Sequence, residues 1–197
     1  KKQDQVTFDI LPDLSTKLGF VNKPRHTKDR QCMSKLLSTL HIIHNFTATM
    51  VKKFTRQVLF EASNIPKLKE LRYKKNLYII DNKLFCSFNT TPQTLNNLIK
   101  ELIDIPTNVK EFDRSYIYYV SRAKLPKIQG KDLKKNVKAL LSKPNLYPIM
   151  KLIYNAGLFQ TILPSTKKII DQPQFDGYHK HPVDVHSINA LKFSERI

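Results

Sequence analysis

The sequence has 197 residues, 41% hydrophobic and 25% charged, which suits a globular chain with one sizeable core, or one domain plus a fragment of another. Its apolar runs are far too short to cross a bilayer, which excludes a membrane-spanning protein, and we expect no membrane partner. The two cysteines form no CxxC pair, which excludes a zinc ribbon and a disulfide framework and fits a reducing cytoplasm.

The net charge of +18 admits two interpretations. A strongly basic surface attracts nucleic acid. However, the lysines are spread along the chain, some of them in pairs, and arginine, which suits forked phosphate recognition, is scarce. This pattern favours a solvated, lysine-rich surface, and a basic helical nucleic-acid-binding module is kept as the alternative function.

The first helical pattern covers residues 9–20, where leucines spaced by three and four precede Gly19, a residue suited to end a helix in a left-handed conformation. A second pattern covers residues 27–62. Its apolar residues recur at steps of three and four throughout, which predicts one long helix.

Two histidines, His41 and His44, lie three residues apart on the predicted long helix. As an i, i+3 pair they could share a metal ion, but no HExxH motif or suitably spaced carboxylate accompanies them. Their apolar neighbours favour ordinary packing or edge positions. The sequence assigns no role to these histidines or to His181.

Residues 77–88 change the pattern, because two β-branched and aromatic runs flank Asp81–Asn82–Lys83. This predicts one short β-hairpin, which must lie against the helices to be stable. Helical patterning then resumes, with Thr91 as the predicted N-cap and Pro92 at the first helical position.

The segment 109–123 contains the run YIYYV, which is β-like by propensity, but the spacing of its apolar residues favours a helix. Its tyrosines could stack on bases, yet this spacing favours a stripe that faces the core. Further helices are predicted at 132–141, at 146–154 and from Asp184, with 159–174 as loop containing a short helical turn. The expected fold is therefore mainly α, a helical bundle with one short β-hairpin.

Signatures of common catalytic sites are absent: the sequence has no GxxxxGK(S/T), no GxGxxG and no GxSxG. It also has no glycine-serine pair followed by spaced aspartates, and its 16 acidic residues show no cluster of the kind that two-metal phosphoryl chemistry needs. We therefore expect that the chain alone is not a working enzyme. It starts without methionine and stops inside a helical pattern, so we expect a piece of a longer protein.

The stretch DGYHKHPVDVHSINAL, residues 176–191, is the densest in metal-capable groups. His179, His181, Asp184 and His186 could supply three or four ligands, and imidazole together with carboxylate suits Zn, Mn or Fe. The competing interpretation is a helix N-terminus that Asp184 caps, with histidines used for local hydrogen bonds. The spacing leaves both interpretations open.

Three stretches occur in the order that one family has: VTFDILPDLSTKLGF (6–20), MKLIYNAGLFQTILPSTKKI (150–169) and QFDGYHKHPVDVHSINAL (174–191). The last resembles the pattern FDxYHxYTVDEHTLxxL, which begins the HD hydrolase domain of the bacterial PII uridylyltransferase/uridylyl-removing enzymes. Val185 replaces the usual acidic residue before the histidine, and His181–Pro182 replaces Tyr-Thr. These departures indicate a divergent member and leave the protein substrate open.

The resemblance implies that residues 1–173 form a helical linker or regulatory domain, and that 174–197 are the incomplete start of an HD-type phosphohydrolase domain. It implies that His186 is the first metal ligand of the HD set, with the remaining ligands beyond the chain, and that His179 and Asp184 have supporting or capping roles. In the full-length protein it implies a divalent metal (Mg, Mn or Zn), UTP and UMP, and a PII-like signalling protein as partners. We expect no tightly bound metal and no catalytic activity in this chain alone.

Overall fold

The computed structural model describes a mainly α protein, as the periodicity predicts. The described residues are 6–24, 26–59, 72–87, 90–91, 93–125, 130–174 and 181–195, of which 49 and 52–59 are described by their helical backbone alone. The helices are α1 (Leu11–Lys17), α2 (Lys28–Leu59), α3 (Leu95–Asp104), α4 (Arg114–Ser121), α5 (Lys131–Leu141), α6 (Tyr147–Asn155), α7 (Phe159–Ile162) and α8 (Val183–Ser194). A 3-10 helix covers Pro164–Lys168, and the strands are β1 (Arg72–Lys74), β2 (Leu77–Ile80), β3 (Lys83–Cys86) and β4 (Glu111–Phe112).

The chain divides into two compact units. The first comprises Lys1–Ala48 and Ser165–Ser187, and the second comprises Thr49–Pro164 and Ile188–Ile197. Helices α2 and α8 each contribute residues to both units. The expected domain boundary at residue 174 stays a prediction.

In the first unit, α1 and α2 form where the leucine spacing predicts them. Gly19 follows α1 with a φ of 76°, the left-handed conformation expected at a helix end. Ser15 on α1 is completely buried, and its Oγ donates a hydrogen bond to Asp29 Oδ1 at 2.6 Å in the first turn of α2. This contact satisfies a buried hydroxyl and joins the two helices.

The second unit contains a four-stranded sheet in the order β1-β2-β3-β4. The predicted hairpin is confirmed as β2 and β3, which are antiparallel. Asp81 and Asn82 both have positive φ (48° and 60°), as a tight two-residue hairpin turn requires. The sheet is larger than the one predicted hairpin, because β1 adds an antiparallel edge strand and β4 pairs with β3 in parallel.

Helix α3 makes the connection between the parallel strands β3 and β4, which need such a crossover. Its predicted N-cap, Thr91, was wrong: the cap is Thr94, whose side chain accepts a hydrogen bond from the Asn97 N–H at 3.4 Å. The chain stays extended to that residue because the Leu95 N–H donates to the carbonyl of Lys124 at 2.9 Å. Tertiary pairing therefore decides where this helix begins.

The segment 109–123 begins as the short strand β4 and becomes helical at α4, so the predicted helix is confirmed only in its second half. Asp113 caps α4, and its Oδ1 accepts a hydrogen bond from the Ser115 N–H at 2.8 Å. The predicted core-facing tyrosine stripe is confirmed by Tyr116 and Tyr119, which are buried, whereas Tyr118 is 58% exposed.

The buried tyrosines belong to a polar cluster around Glu101 of α3. Tyr116 donates its hydroxyl hydrogen to Glu101 Oε1 at 2.7 Å, and Gln93 Nε2 donates to Glu101 Oε2 at 2.5 Å and to the hydroxyl oxygen of Tyr119. Burial, and then the negative charge of Glu101, raise the pKa of Tyr116 well above its usual value. Tyr116 therefore stays protonated and acts as a donor inside the core.

Replacing Tyr116 by phenylalanine is expected to lower the free energy of unfolding by about 1 to 2 kcal/mol, since a buried charge-assisted hydrogen bond is lost. Chemical denaturation monitored by circular dichroism measures this change. Tyr118→Phe is the matched control, because Tyr118 lies on the same helix but is exposed, and it should change stability by less than about 0.5 kcal/mol. Equal effects of the two substitutions would contradict the assigned role of the cluster.

The predicted helices at 132–141 and 146–154 are confirmed as α5 and α6, and α7 and the 3-10 helix lie within residues 159–174, predicted as loop containing a short helical turn. The core of the second unit includes Leu152 and Ile153 of α6, with 1% and 0% exposure. Glu195 accepts hydrogen bonds from the N–H groups of Leu146 and Tyr147 at the start of α6. It thereby satisfies donors that have no acceptor within the helix. Within the described residues, no helix combines the length and apolar character needed to cross a bilayer.

Candidate functional site

The candidate site lies at the start of α8, in the first unit. The Val183 N–H donates to the carbonyl of Gln172 at 3.1 Å, and the His186 N–H donates to the carbonyl of Pro182 at 2.9 Å. The helix begins at Val183, so the predicted start at Asp184 was one residue late. The first bond attaches the start of α8 to the chain at Gln172, and the second is the local bond that opens the helix.

Asp184 is the buried polar centre of this region, with 0% exposure. Its Oδ2 accepts a hydrogen bond from the Asp171 N–H at 3.0 Å, and its Oδ1 accepts one from the Val185 N–H at 2.9 Å. A carboxylate in the first turn also interacts favourably with the helix dipole. Asp184 therefore connects the first turn of α8 to the chain at Asp171 and limits how that turn can move.

Asp171 is the residue of this site that sequence reasoning missed. It is half-buried, and its backbone has a left-handed φ of 51°. Burial, and then the negative charge of Asp184, raise the pKa of Asp171, while the nearby His41 opposes the shift. Its position before Gln172–Pro173 is a turn signal that could have identified it, because aspartate tolerates left-handed turn positions.

Replacing Asp171 by asparagine is expected to raise the free energy of unfolding at pH 7. The raised pKa means that the folded state binds the Asp171 proton more tightly than the unfolded state, so this residue lowers stability as the pH rises above its usual pKa. Asparagine removes the charge and tolerates positive φ. The gain should therefore disappear as the pH falls below about 4.

The pH dependence can be measured by urea denaturation between pH 3 and 8. Asp81→Asn is the matched control, since Asp81 also has positive φ (48°) but is exposed in the hairpin turn. A stability gain of Asp171→Asn that is the same at every pH would contradict an electrostatic origin.

The structure does not group the described candidate metal ligands into a metal-binding set. His186 and His181 are exposed, at the start of α8 and just before it, and His179 lies outside the described residues. His41 interacts electrostatically with Asp171 and opposes the rise in its pKa, whereas His44 is exposed. In the described part of the chain, no three His, Cys, Asp or Glu side chains are grouped so as to hold a metal ion.

The described residues of the site can therefore supply one metal ligand but not a complete ligand set. The imidazole of His186 is a chemically suitable donor for a divalent ion on an exposed helix surface. The carboxylate of Asp184 is buried and already accepts two backbone N–H groups, so its geometry suits support of the helix start. We derive no catalytic step through a metal from this arrangement.

Comparison with known proteins finds similarity along most of the chain. It is 22% identical over 202 residues to the bifunctional uridylyltransferase/uridylyl-removing enzyme of Novosphingobium aromaticivorans, covering 97% of this chain and 22% of that protein. The protein of the same name from Vibrio campbellii is 21% identical over 195 residues (96% of this chain, 22% of that protein). A 47-residue match to the one from Zymomonas mobilis is 43% identical (24% of this chain, 5% of that protein). The chain thus spans about a fifth of the length of the relatives that it matches along most of its own length.

No protein-family model matches the chain, and no solved structure matches it significantly.

Proposed function

We propose that the chain is the central helical region of a PII-type uridylyltransferase/uridylyl-removing enzyme, with residues 174–197 as the start of its HD-type hydrolase domain. The observation that carries this proposal is the alignment of 96–97% of the chain with enzymes of that name. The 43% identity of one 47-residue stretch adds support, because a short match at that level is hard to reach by composition alone. In such a cytoplasmic enzyme, the partners of the full-length protein would be UTP, UMP and a PII-like signalling protein.

In this proposal the start of α8 positions one metal ligand. His186 would hold a divalent ion (Mg, Mn or Zn) together with residues outside this chain, and the ion would supply a water of lowered pKa for phosphodiester hydrolysis. Asp184 acts as a positioning residue: its two hydrogen bonds to backbone N–H groups hold the first turn, and through it the imidazole two residues later. His179 is proposed to support the same site.

The chain alone is proposed to be inactive, since its described residues contain no complete metal set. The alternative of a basic nucleic-acid-binding module draws no support from the curated relatives, all of which carry the uridylyltransferase name.

The full-length protein tests the proposal. Incubated with UTP, a divalent metal and a PII-like protein, it should add UMP to that protein, and it should remove UMP once UTP is withdrawn; mass spectrometry of the substrate follows both reactions. The 197-residue chain should do neither. UMP turnover by the chain alone, or no turnover by the full-length protein with any PII-like protein of its own organism, would overturn the proposal.

A further inference from the structure

Helix α5 carries a concentrated positive charge along one face. Four exposed lysines occur on it at spacings of three and four residues, and we name them the α5 lysine stripe: Lys131, Lys134, Lys135 and Lys138. Residues three and four apart share one face of a helix, so the four ammonium groups lie side by side along roughly 10 Å of helix axis. The opposite face of α5 is buried through Leu133 and Leu140.

The stripe is not neutralised within the described part of the chain, where none of its lysines forms an ion pair with a carboxylate. Like charges three and four residues apart on a helix repel and lower its stability by a few tenths of a kcal/mol per pair. A polyanionic partner would relieve this repulsion. The stripe is thus a surface whose charge is complementary to an acidic ligand.

A cavity of about 320 Å³ adjoins the N-terminal end of the stripe. Gly130, the N-cap of α5, and Asp132 and Leu133 of its first turn line the cavity, and Lys131 lies between them in the sequence. Leu95 and Leu125 form further apolar walls. The volume is at the lower end of the range for small ligand sites and suits one large apolar side chain.

The two features together favour a protein ligand over nucleic acid. The residues of the stripe and of the cavity lining include no arginine and no aromatic residue, so forked phosphate contacts and base stacking are not provided there. An apolar cavity beside a row of ammonium groups matches a peptide in which carboxylates flank an apolar side chain. The cavity lining holds one carboxylate, Asp132, and one ammonium group, Lys124, so it offers no net positive charge to an anion inside the cavity.

We propose that the α5 lysine stripe and the adjoining cavity form a docking surface for an acidic protein segment, one apolar side chain of which enters the cavity while its carboxylates pair with the lysines. This inference goes beyond the proposed function, since it concerns a surface of the second unit and does not depend on uridylyl chemistry.

Fluorescence anisotropy of the 197-residue chain tests the proposal with three labelled probes: an oligoglutamate peptide with one central leucine, the same peptide without leucine, and a single-stranded DNA oligonucleotide. The leucine peptide should bind most tightly. Replacing all four stripe lysines by glutamine should weaken its binding roughly tenfold or more, since each exposed ion pair contributes modestly.

The matched control replaces four exposed lysines elsewhere, Lys17, Lys23, Lys75 and Lys110, by glutamine, which changes the net charge equally. It should leave binding within about twofold, well inside the change expected from losing specific ion pairs. Circular dichroism verifies that both variants fold. Each of three results would overturn the proposal. Equal weakening by the two variants would mean that diffuse charge, and not the stripe, attracts the peptide. Equal binding of the two peptides would mean that the cavity does not bind the leucine, and tighter binding of DNA through the stripe would identify nucleic acid as the ligand.

Discussion

Under the proposed function, replacing His186 by alanine in the full-length protein is expected to lower the rate of uridylyl removal by roughly 100-fold or more, while uridylyl transfer is retained. A metal ligand contributes more than the supporting residues around it, whose loss alone typically costs 10- to 100-fold. His186 is exposed at the start of α8, so replacing its side chain opens no buried cavity. The effect should therefore appear in the hydrolytic reaction and not in the stability of the protein.

His44→Ala is the control for this prediction. His44 is an exposed histidine on α2, and its replacement should change neither reaction. The measurement is the initial rate of UMP release from a uridylylated PII-like protein, beside the rate of UMP incorporation. A His186→Ala enzyme that removes UMP at the normal rate, or that loses both activities together with its fold, would contradict the assignment of His186 as a ligand.

Replacing Asp184 by alanine is expected to lower the free energy of unfolding by about 2 kcal/mol or more, because two backbone N–H groups lose their acceptor in a buried site. Part of this loss is offset, since the negative charge that raises the pKa of Asp171 is removed as well. Asp184→Asn keeps an acceptor oxygen and should cost less than alanine. Denaturant unfolding of the 197-residue chain measures all three proteins.

Asp132→Ala separates this buried role from the general preference for a carboxylate at a helix start. Asp132 also lies in the first turn of a helix, α5, but it is exposed. Its loss should cost no more than about 1 kcal/mol, the range of an exposed charge near a helix dipole. If Asp184→Ala costs no more than Asp132→Ala, the two hydrogen bonds of Asp184 do not stabilise the start of α8.

Regular helices were predictable from the sequence because their apolar residues recur at steps of three and four. The long helix α2 was predicted at 27–62 and observed at Lys28–Leu59, since apolar residues recur along its whole length. The β2–β3 hairpin was predictable for a local reason: Asp81 and Asn82 are residues that accept the positive φ of its turn.

The elements that were missed depend on partners distant in sequence. Strands β1 and β4 have three and two residues, too few for an alternating pattern, and each exists because a neighbouring strand offers hydrogen-bonding groups. The N-cap of α3 was assigned three residues early because nothing local reveals that Thr94 pairs with Lys124. Residue propensity placed the start of α3 close to its observed position, and the tertiary hydrogen bond shifts the N-cap to Thr94.

The candidate site likewise has residues that the local sequence indicates and one that depends on a distant partner. His186 and Asp184 were singled out as candidates from a run of residue types that lie close together in the sequence. Asp171 was not, because its role follows from a hydrogen bond and an electrostatic contact to a residue 13 positions later. The burial of Asp184 could not be predicted either, since aspartate is usually exposed and only its backbone partners make its burial tolerable.

A manganese-soaked crystal structure of the full-length protein tests the central claim most directly. Anomalous scattering is expected to place a metal ion about 2.0 to 2.3 Å from an imidazole nitrogen of His186, with the other protein ligands supplied from outside this 197-residue chain. A metal ion coordinated without His186, or one whose protein ligands all come from within this chain, would contradict the account.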